Sequence, residues 1–128
     1  MESLLHRNSR RPDVSFYRDG RIDITARVAR LLGIRPGDVI DIAHEGGEFY
    51  MFVSHKADDA QGRHEGQCYP TKHRSHNFRT HSKRLCQAIM ALSNATNVAR
   101  LPIGDTALLF DKTVTAVILI VRNNLSNT

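Results

Sequence analysis

Apolar and polar residues alternate in short runs from Val14 onward, and these runs divide the first half of the chain into five elements. Strand-like alternation and helix-like spacing predict this order: strands Val14–Arg18 and Arg21–Ile24, a helix Ala26–Leu32, and strands Val39–Ile42 and Phe49–Val53. The Asp19-Gly20 pair predicts a type I′ turn, in which both central residues have positive φ. Thr25 is the candidate N-cap of the helix, and Gly33 is its left-handed C-cap.

The second half of the chain repeats this order with weaker signals. Its predicted elements are strands at Cys68-Tyr69 and Asn77–Arg79, a helix between Ser82 and Asn94, and strands Thr106–Phe110 and Val114–Val121. Pro70 restricts the first of these strands to a sheet edge. Leu85, Ile89 and Leu92 form one apolar stripe of the helix. The segment Leu101–Asp105 predicts a turn.

An internal duplication accounts for the repeated order. Gly37-Asp38 and Gly104-Asp105 align without a gap through the hairpins that follow them. A chance repetition of the β-α-β order is the alternative. About forty residues rarely make a stable core alone, so each half is expected to cover the apolar faces of the other. The predicted fold class is β-rich α+β, with a basic arm 1–12, a first half 13–54, a polar linker 55–66, a second half 67–122 and a tail 123–128.

The segment Gly20–Val53 resembles the swapped-hairpin domain of the AbrB and MazE group. Three motifs fall at the spacing typical of that family: Gly20-Arg21-Ile22, Leu32-Gly33-Ile34 and Arg35-Pro36-Gly37-Asp38. The resemblance implies a small barrel in which hairpins of two copies interleave, either within one chain or between the chains of a homodimer. It also implies DNA binding in transcriptional regulation and, for some members, an antitoxin role.

Composition places the chain among small globular proteins. Its 128 residues and 14.4 kDa suit one compact domain, and 41% apolar with 24% charged residues argue against wholesale disorder. No apolar run reaches the roughly 18 residues of a membrane span, and the first residues lack the apolar core of a secretory signal. We therefore expect a cytoplasmic protein without membrane contact, in which Cys68 and Cys86 are reduced thiols.

Charge is unevenly distributed along the chain, with 18 basic residues against 13 acidic ones, and 14 of the 18 are arginine. Residues 1–36 carry eight basic and four acidic groups, and residues 63–100 carry seven basic groups and one acidic group. Residues 37–62, between them, carry one basic and six acidic groups. Two positive blocks around a negative one indicate a polyanion-binding protein, because arginine forks fit phosphate oxygens. The alternative is a basic surface that only keeps the protein soluble.

Ten side chains form the predicted nucleic-acid-binding set. The first group surrounds the first hairpin and the short helix: Arg18, Arg21, Arg27, Arg30 and Arg35. The second group precedes and opens the second helix: Lys72, Arg74, Arg79, Lys83 and Arg84. Cations at a helix start are disfavoured by the helix dipole, and a phosphate bound beside Lys83 and Arg84 would reverse that penalty. The alternative is a solvated face on which the first group pairs with Asp19 and Asp23.

Metal and enzyme chemistry have little support in the sequence. His64, Cys68, His73 and His76 are zinc-competent ligand types, but they lack CxxC or HxxxH spacing, so no metal and no cofactor is predicted. Cys86 faces an apolar stripe, and Cys68 is expected to be the more exposed thiol. No Gly-rich phosphate loop, GxSxG or HExxH motif occurs, so an enzyme is not predicted. A hydrolase built on the histidine and cysteine loop is kept as a third class.

The predicted function is that of a small DNA-binding transcriptional regulator whose partner is double-stranded DNA. The runner-up is a module that binds a partner protein in the manner of an antitoxin. It would use the acidic block Asp38, Asp41, Glu45 and Glu48. The active unit would be either a homodimer or a pseudo-dimer of the two halves within one chain.

Overall fold

The computed structural model describes residues 12–54, 65–111 and 114–121. Within these ranges the chain forms, in order, β1 (Val14–Tyr17), β2 (Arg21–Ile24), α1 (Ala26–Leu32), β3 (Val39–Glu45), β4 (Glu48–Ser54), β5 (Tyr69–Pro70), β6 (Phe78–His81), α2 (Lys83–Ser93), β7 (Val98–Leu101), β8 (Leu108–Asp111) and β9 (Val114–Leu119). Nearly all of the predicted arm 1–12, most of the linker 55–66 and the whole tail 123–128 lie outside the described residues.

The strands lie in two antiparallel sheets. The five-stranded sheet has the order β5-β6-β2-β1-β7, and the four-stranded sheet has the order β3-β4-β9-β8. Each sheet joins the two halves of the chain at its centre, where β2 lies beside β6 and β4 lies beside β9. The strand-rich α+β class is therefore as predicted, but the described strands form two sheets and not one closed barrel.

Hydrogen bonds connect the two sheets at two corners. At the first corner, Ile40 N donates to Gly66 O at 2.9 Å, which places the start of β3 beside the chain that enters β5. At the second corner, Gly104 N donates to Ile118 O at 2.8 Å, which places the chain that leaves β7 beside β9. Each corner therefore joins a segment that leads into or out of the five-stranded sheet to a strand of the four-stranded sheet.

The strand β7 was not predicted from the sequence. It pairs along β1, with Val14 opposite Leu101. Val98, Ala99 and Leu101 are all buried and only Arg100 is partly exposed, so the segment does not show the alternation that marks a half-buried strand. The turn predicted at 101–105 begins only where this strand ends.

The hairpin turns differ from the expected geometry at one place. Gly20 has a φ of +102°, but Asp19 has no positive φ, so the β1–β2 connection is not the predicted type I′ turn. It is a longer loop, in which Gly20 N donates to Tyr17 O at 2.9 Å. Between β3 and β4, Gly46 and Gly47 have φ values of +59° and +82°, the two positive values that a type I′ turn requires.

The two helices begin differently. Thr25 is the N-cap residue of α1, as predicted, but its hydroxyl does not make the expected capping hydrogen bond. Asn77, from the other half of the chain, accepts a hydrogen bond from Ala26 N at 2.8 Å instead. Ser82 caps α2 as predicted, because its hydroxyl accepts from Leu85 N at 3.2 Å. Gly33 (φ +68°) ends α1 in the left-handed conformation, as predicted. Asn94 ends α2, as predicted, and is also left-handed (φ +58°).

Buried side chains from both sheets and both helices form one apolar cluster. The buried face of α2 is shifted from the predicted stripe, because Leu92 is 54% exposed while Cys86, Ile89 and Met90 are buried. Cys68 is fully buried in the same cluster, so the expectation that it is the more exposed thiol is wrong. The core therefore depends on both halves, and the face of the five-stranded sheet that points away from it is left for other contacts.

Candidate nucleic-acid interface

The five-stranded sheet has one face in the core and one face turned away from it. Val14, Phe16, Ile22 and Ile24 are at most 1% exposed, so the residues that alternate with them lie on the opposite side, which we call the outer face. The outer face carries Ser15, Tyr17, Arg21, Asp23, Tyr69, Arg79, His81, Arg100 and the buried Val98, which lies opposite Tyr17. The strand registers align five of these in one row across all five strands: Tyr69, Arg79, Asp23, Ser15 and Arg100.

A carboxylate lies between two guanidinium groups at the centre of the outer face. Arg79 Nε donates to Asp23 Oδ1 at 2.7 Å, and Arg21 Nε lies 3.5 Å from Asp23 Oδ2. The Arg21 guanidinium lies 3.9 Å from the centre of the Tyr17 ring. The side chain of Tyr17 raises the pKa of Arg21 most, burial opposes this effect, and the charge of Asp23 raises the pKa further. Both central arginines are therefore held by residues of the same sheet.

Cationic side chains also lie at both ends of the outer face. Because β2 and β6 are antiparallel, with Arg21 opposite His81, the β1–β2 loop and the β5–β6 loop lie at opposite ends of the sheet. Arg18 is exposed in the first loop, and Lys83 packs against that loop beside Gly20. Lys72 and Arg74 are exposed in the second loop. About six residues of extended strand separate the two ends, which corresponds to about 20 Å.

The ten predicted cations divide into two groups of five. Five have a carboxylate within ion-pair distance: Arg21, Arg27, Arg35, Arg79 and Arg84. For the other five, no ion pair is found among the described residues: Arg18, Arg30, Lys72, Arg74 and Lys83. Four of these five are the cations at the ends of the outer face, so the side chains most available to phosphate lie in two separated places.

Two of the paired arginines act as structural clamps. Arg27 Nη1 donates to Asp13 Oδ1 at 3.0 Å, and the other oxygen of Asp13 accepts from Ile103 N at 3.0 Å. Arg84 Nε donates to Glu65 Oε2 at 3.0 Å, and the same carboxylate binds the Ser82 hydroxyl. Arg84 also donates through Nη2 to the second carboxylate oxygen. We call these the first clamp (Arg27–Asp13) and the second clamp (Arg84–Glu65), and both tie a helix start to the chain that leads into a hairpin.

Two further predicted residues lie apart from the outer face. Arg30 is exposed in the last turn of α1, and α1 packs against β9 of the four-stranded sheet. Arg35 belongs to the turn before β3, where its backbone N donates to Asp38 Oδ2 at 2.8 Å. The structure therefore places Arg21 and Arg79 on the five-stranded sheet, Arg18, Lys72 and Arg74 in the loops at its ends, and Lys83 at the start of α2 beside Gly20. Arg27, Arg30, Arg35 and Arg84 lie elsewhere.

Several outer-face residues were missing from the sequence-based set: Tyr17, Tyr69, His81 and Arg100. The alternation within β1 and β2 already indicates that Tyr17 shares a face with Arg21. The position of Tyr69 and Arg100 beside Arg79 and Ser15 depends on strand registers between distant segments, and no local pattern reports those. A solvated face pairs Asp23 with the first group of arginines, and in the structure Asp23 pairs with Arg21 of that group and with Arg79 of the second group.

The acidic block has a different location. Asp38 is 3% exposed, so it belongs to the turn that precedes β3 and not to a contact surface. Asp41, Glu45 and Glu48 are exposed on the β3–β4 hairpin of the four-stranded sheet. Near the tip of that hairpin, the rings of His44 and Phe49 stack with centroids 4.3 Å apart.

The two thiols are poorly suited to nucleophilic or metal chemistry. Burial raises the pKa of Cys68 to about 12 and that of Cys86 to about 11, so both thiols stay protonated near neutral pH. Among the residues that the structure describes, no three histidine, cysteine or acidic side chains lie close enough together to hold a metal ion. His64, one of the four candidate ligands, lies outside the described residues.

Comparisons with protein-family models, with curated proteins and with solved structures found no match. The function is therefore inferred from the residues of the site. Within the described part of the chain, neither helix has the length and apolar character that crossing a membrane requires.

Proposed function

We propose that this protein is a small regulator of transcription that binds double-stranded DNA on the outer face of its five-stranded sheet. The observation that carries the proposal is the pair of cationic ends about 20 Å apart, with Arg21 and Arg79 between them. Arginine and lysine heads at such positions neutralise phosphates and release counterions, which is the main source of affinity in protein–DNA complexes. We place the protein in the cytoplasm, where unpaired Cys68 and Cys86 stay reduced.

The width of the sheet decides how DNA would lie. Five strands spaced about 4.8 Å apart span about 19 Å, whereas the major groove is about 12 Å wide. The sheet is too wide to enter the groove and would lie across it, with its two ends on the phosphate backbones. The β1–β2 loop, which carries Arg18, is narrow enough to reach base edges.

The same proposal includes the architecture implied by the AbrB and MazE resemblance. In the five-stranded sheet the β1–β2 hairpin lies between β6 and β7 of the second half, and in the four-stranded sheet the β3–β4 and β8–β9 hairpins lie side by side. The corner hydrogen bonds link the sheets to each other. These contacts support a swapped-hairpin arrangement built within one chain. They favour the pseudo-dimer over a homodimer, because each half already has its partner.

The salt dependence of duplex binding tests the proposal. Loss of two phosphate contacts should lower the slope of log K against log salt by about 2, and this is expected for both Arg18→Ala/Lys83→Ala and Lys72→Ala/Arg74→Ala. Arg30→Ala is the matched control, because it removes an exposed cation on α1, away from the outer face. The slope is measured by gel shift or fluorescence anisotropy at 50–200 mM salt. The proposal would be contradicted if Arg30→Ala changed the slope as much for each charge removed as the two double variants do.

The acidic hairpin supports a second candidate function. Asp41, Glu45 and Glu48 are exposed together on the β3–β4 hairpin. Their negative charges are complementary to a basic partner protein, which the protein would bind in the manner of an antitoxin. A protein of that kind needs no duplex DNA. Two results together would favour this candidate over the first. The protein would fail to shift random duplex DNA at low salt, and the Glu45→Gln/Glu48→Gln variant would lose binding to a basic protein partner.

A further inference from the structure

The Asp23 carboxylate holds two arginines that come from different halves of the chain. Arg21 lies on β2 and Arg79 on β6, and the two strands are neighbours at the centre of the five-stranded sheet. Asp23 lies directly opposite Arg79 and on the same face of β2 as Arg21. The side chains of Arg21 and Arg79 are 39% and 48% exposed, so both are partly open to solvent, although the Nε atom of Arg21 is buried.

Asp23 satisfies one of the two arginines and not the other. Its contact with Arg79 is a short hydrogen bond of 2.7 Å, whereas its second oxygen lies 3.5 Å from Arg21 Nε. That nitrogen is buried and makes no hydrogen bond with any residue that the structure describes. A buried donor without an acceptor is costly, and its position beside a second cation marks a place where an additional anionic oxygen would be stabilised.

We propose that Arg21 and Arg79 form a phosphate-binding subsite, which the Asp23 carboxylate occupies in the unliganded protein. Carboxylate and phosphate oxygens accept the same charge-assisted hydrogen bonds from guanidinium groups, so the two anions compete for one position. A phosphodiester carries two unbridged oxygens on a larger group and spans more of the gap between the arginines. This inference rests on the proposed function for its natural ligand, and it adds the residue that regulates the affinity.

The competition has a consequence for selectivity. A single phosphate must displace Asp23 with no other contact to compensate, so small anions bind weakly at the centre of the outer face. A duplex is already anchored by the cations at both ends, and its central phosphate is then presented to the subsite at a high effective concentration. Asp23 therefore favours long polyanions over mononucleotides.

Asp23→Asn tests the subsite, because it removes the competing charge while it keeps the size of the side chain. Duplex affinity at 100 mM salt should rise about five- to tenfold, and the salt slope should steepen by about 1 as the central phosphate contact becomes complete. Asp105→Asn is the matched control, since it removes a carboxylate that is 91% exposed and lies off the outer face. The control should strengthen binding less than about twofold, as expected for a distant charge that salt screens. Equal gains in the two variants would overturn the inference.

A second measurement does not depend on DNA. Inorganic pyrophosphate should raise the melting temperature of Asp23→Asn more than that of the parent, and Arg79→Ala added to Asp23→Asn should abolish the difference. Absence of any pyrophosphate effect in Asp23→Asn would reject the subsite even if the parent binds duplex. Conversely, a pyrophosphate effect without duplex binding would retain the subsite and reject the proposed function. The melting curves also establish that each variant is folded.

Discussion

Arg27 and Arg84 are each the second residue of a helix, and each pairs with a carboxylate just before the first strand of its own half. The two clamps differ in burial. The Asp13 side chain is 11% exposed and also accepts from the buried Ile103 N, whereas the Glu65 side chain is 39% exposed and accepts from the Ser82 hydroxyl. The same kind of contact therefore has two different effects. In the first clamp, Asp13 also bonds to Ile103 and so joins the two halves of the chain. In the second clamp, Glu65 mainly fixes the start of α2.

The repeated clamp also clarifies what arginine is used for in this chain. A basic composition suggests binding, yet both Arg27 and Arg84 have structural partners within the fold. Their replacement would weaken DNA binding only through loss of folded protein or of general charge. The residues that distinguish binding from structure are those on the outer face, and the following experiments separate the two classes.

Asp13→Ala should have the largest effect on stability. It removes the buried carboxylate oxygen to which Ile103 N donates at 3.0 Å and the shorter of the two ion pairs of Arg27, so we expect a loss of about 2–3 kcal/mol in the free energy of unfolding. Glu65→Ala should lower stability much less, because water can replace the carboxylate at an exposed position. Urea unfolding curves give both values. Similar losses in the two variants would show that the clamps are equivalent and would break the comparison.

Asp105→Ala is the control for the first clamp. Asp105 lies 3.6 Å from Arg27 Nη2, but its side chain is 91% exposed, and such ion pairs contribute little. We expect no measurable change in unfolding free energy. A loss as large as that of Asp13→Ala would mean that the charge of Arg27, and not the buried hydrogen bond to Ile103, carries the stability.

Alkaline pH should act through the second half, which contains both cysteines. Burial raises the pKa of Cys68 to about 12 and that of Cys86 to about 11, while the thiols of the unfolded chain ionise near 9. The unfolded state therefore loses protons first, so stability is full below pH 9 and falls as the pH rises towards 11. The slope approaches about 1.4 kcal/mol per pH unit for each thiol. The Cys68→Ala/Cys86→Ala variant should show a flatter pH dependence, and an unchanged slope would reject this cause.

The helix starts provide a finer comparison between the halves. Ser82→Ala removes a cap that belongs to α2 itself, and Asn77→Ala removes a cap that the second half donates to α1. Each should cost about 1 kcal/mol. Ser82 is expected to cost the more, because its buried hydroxyl also binds Glu65. Unfolding free energies that ranked Asn77 above Ser82 would indicate that the contact between the halves matters more than the local cap.

Some of these contacts could be predicted from sequence, and the reason differs among residues. Gly33 and Asn94 end helices because their own backbone tolerates the left-handed conformation, which is a local property. The Asn77 cap and the β7 pairing depend on segments brought together by the fold, and Thr25 shows how a suitable local residue is left unused. The same holds for the site: Arg21 was predicted from its hairpin, but its link to Arg79 through Asp23 requires the register of β2 against β6.

Arg74→Gly should have little effect on stability and a clear effect on binding. Arg74 has a φ of +64°, a conformation that costs about 1 kcal/mol for a residue with a side chain. Glycine relieves that cost but gives the unfolded chain more freedom, at about 0.5–1 kcal/mol, so stability should hardly change. The salt slope of duplex binding should fall by about 1, because one cation leaves the second end of the outer face.

Asn94→Gly is the matched control for Arg74→Gly, since Asn94 has a φ of +58° at the end of α2 and carries no charge. It makes the same backbone change, and duplex affinity should be unchanged. A loss of affinity in Arg74→Gly but not in Asn94→Gly would assign the effect to the guanidinium and not to the loop conformation. If Arg74→Gly bound duplex DNA as the parent does, Arg74 would not be a DNA contact, and Lys72 would be the contacting cation at that end of the outer face. The two loops of the five-stranded sheet would then contribute unequally, as the two clamps do.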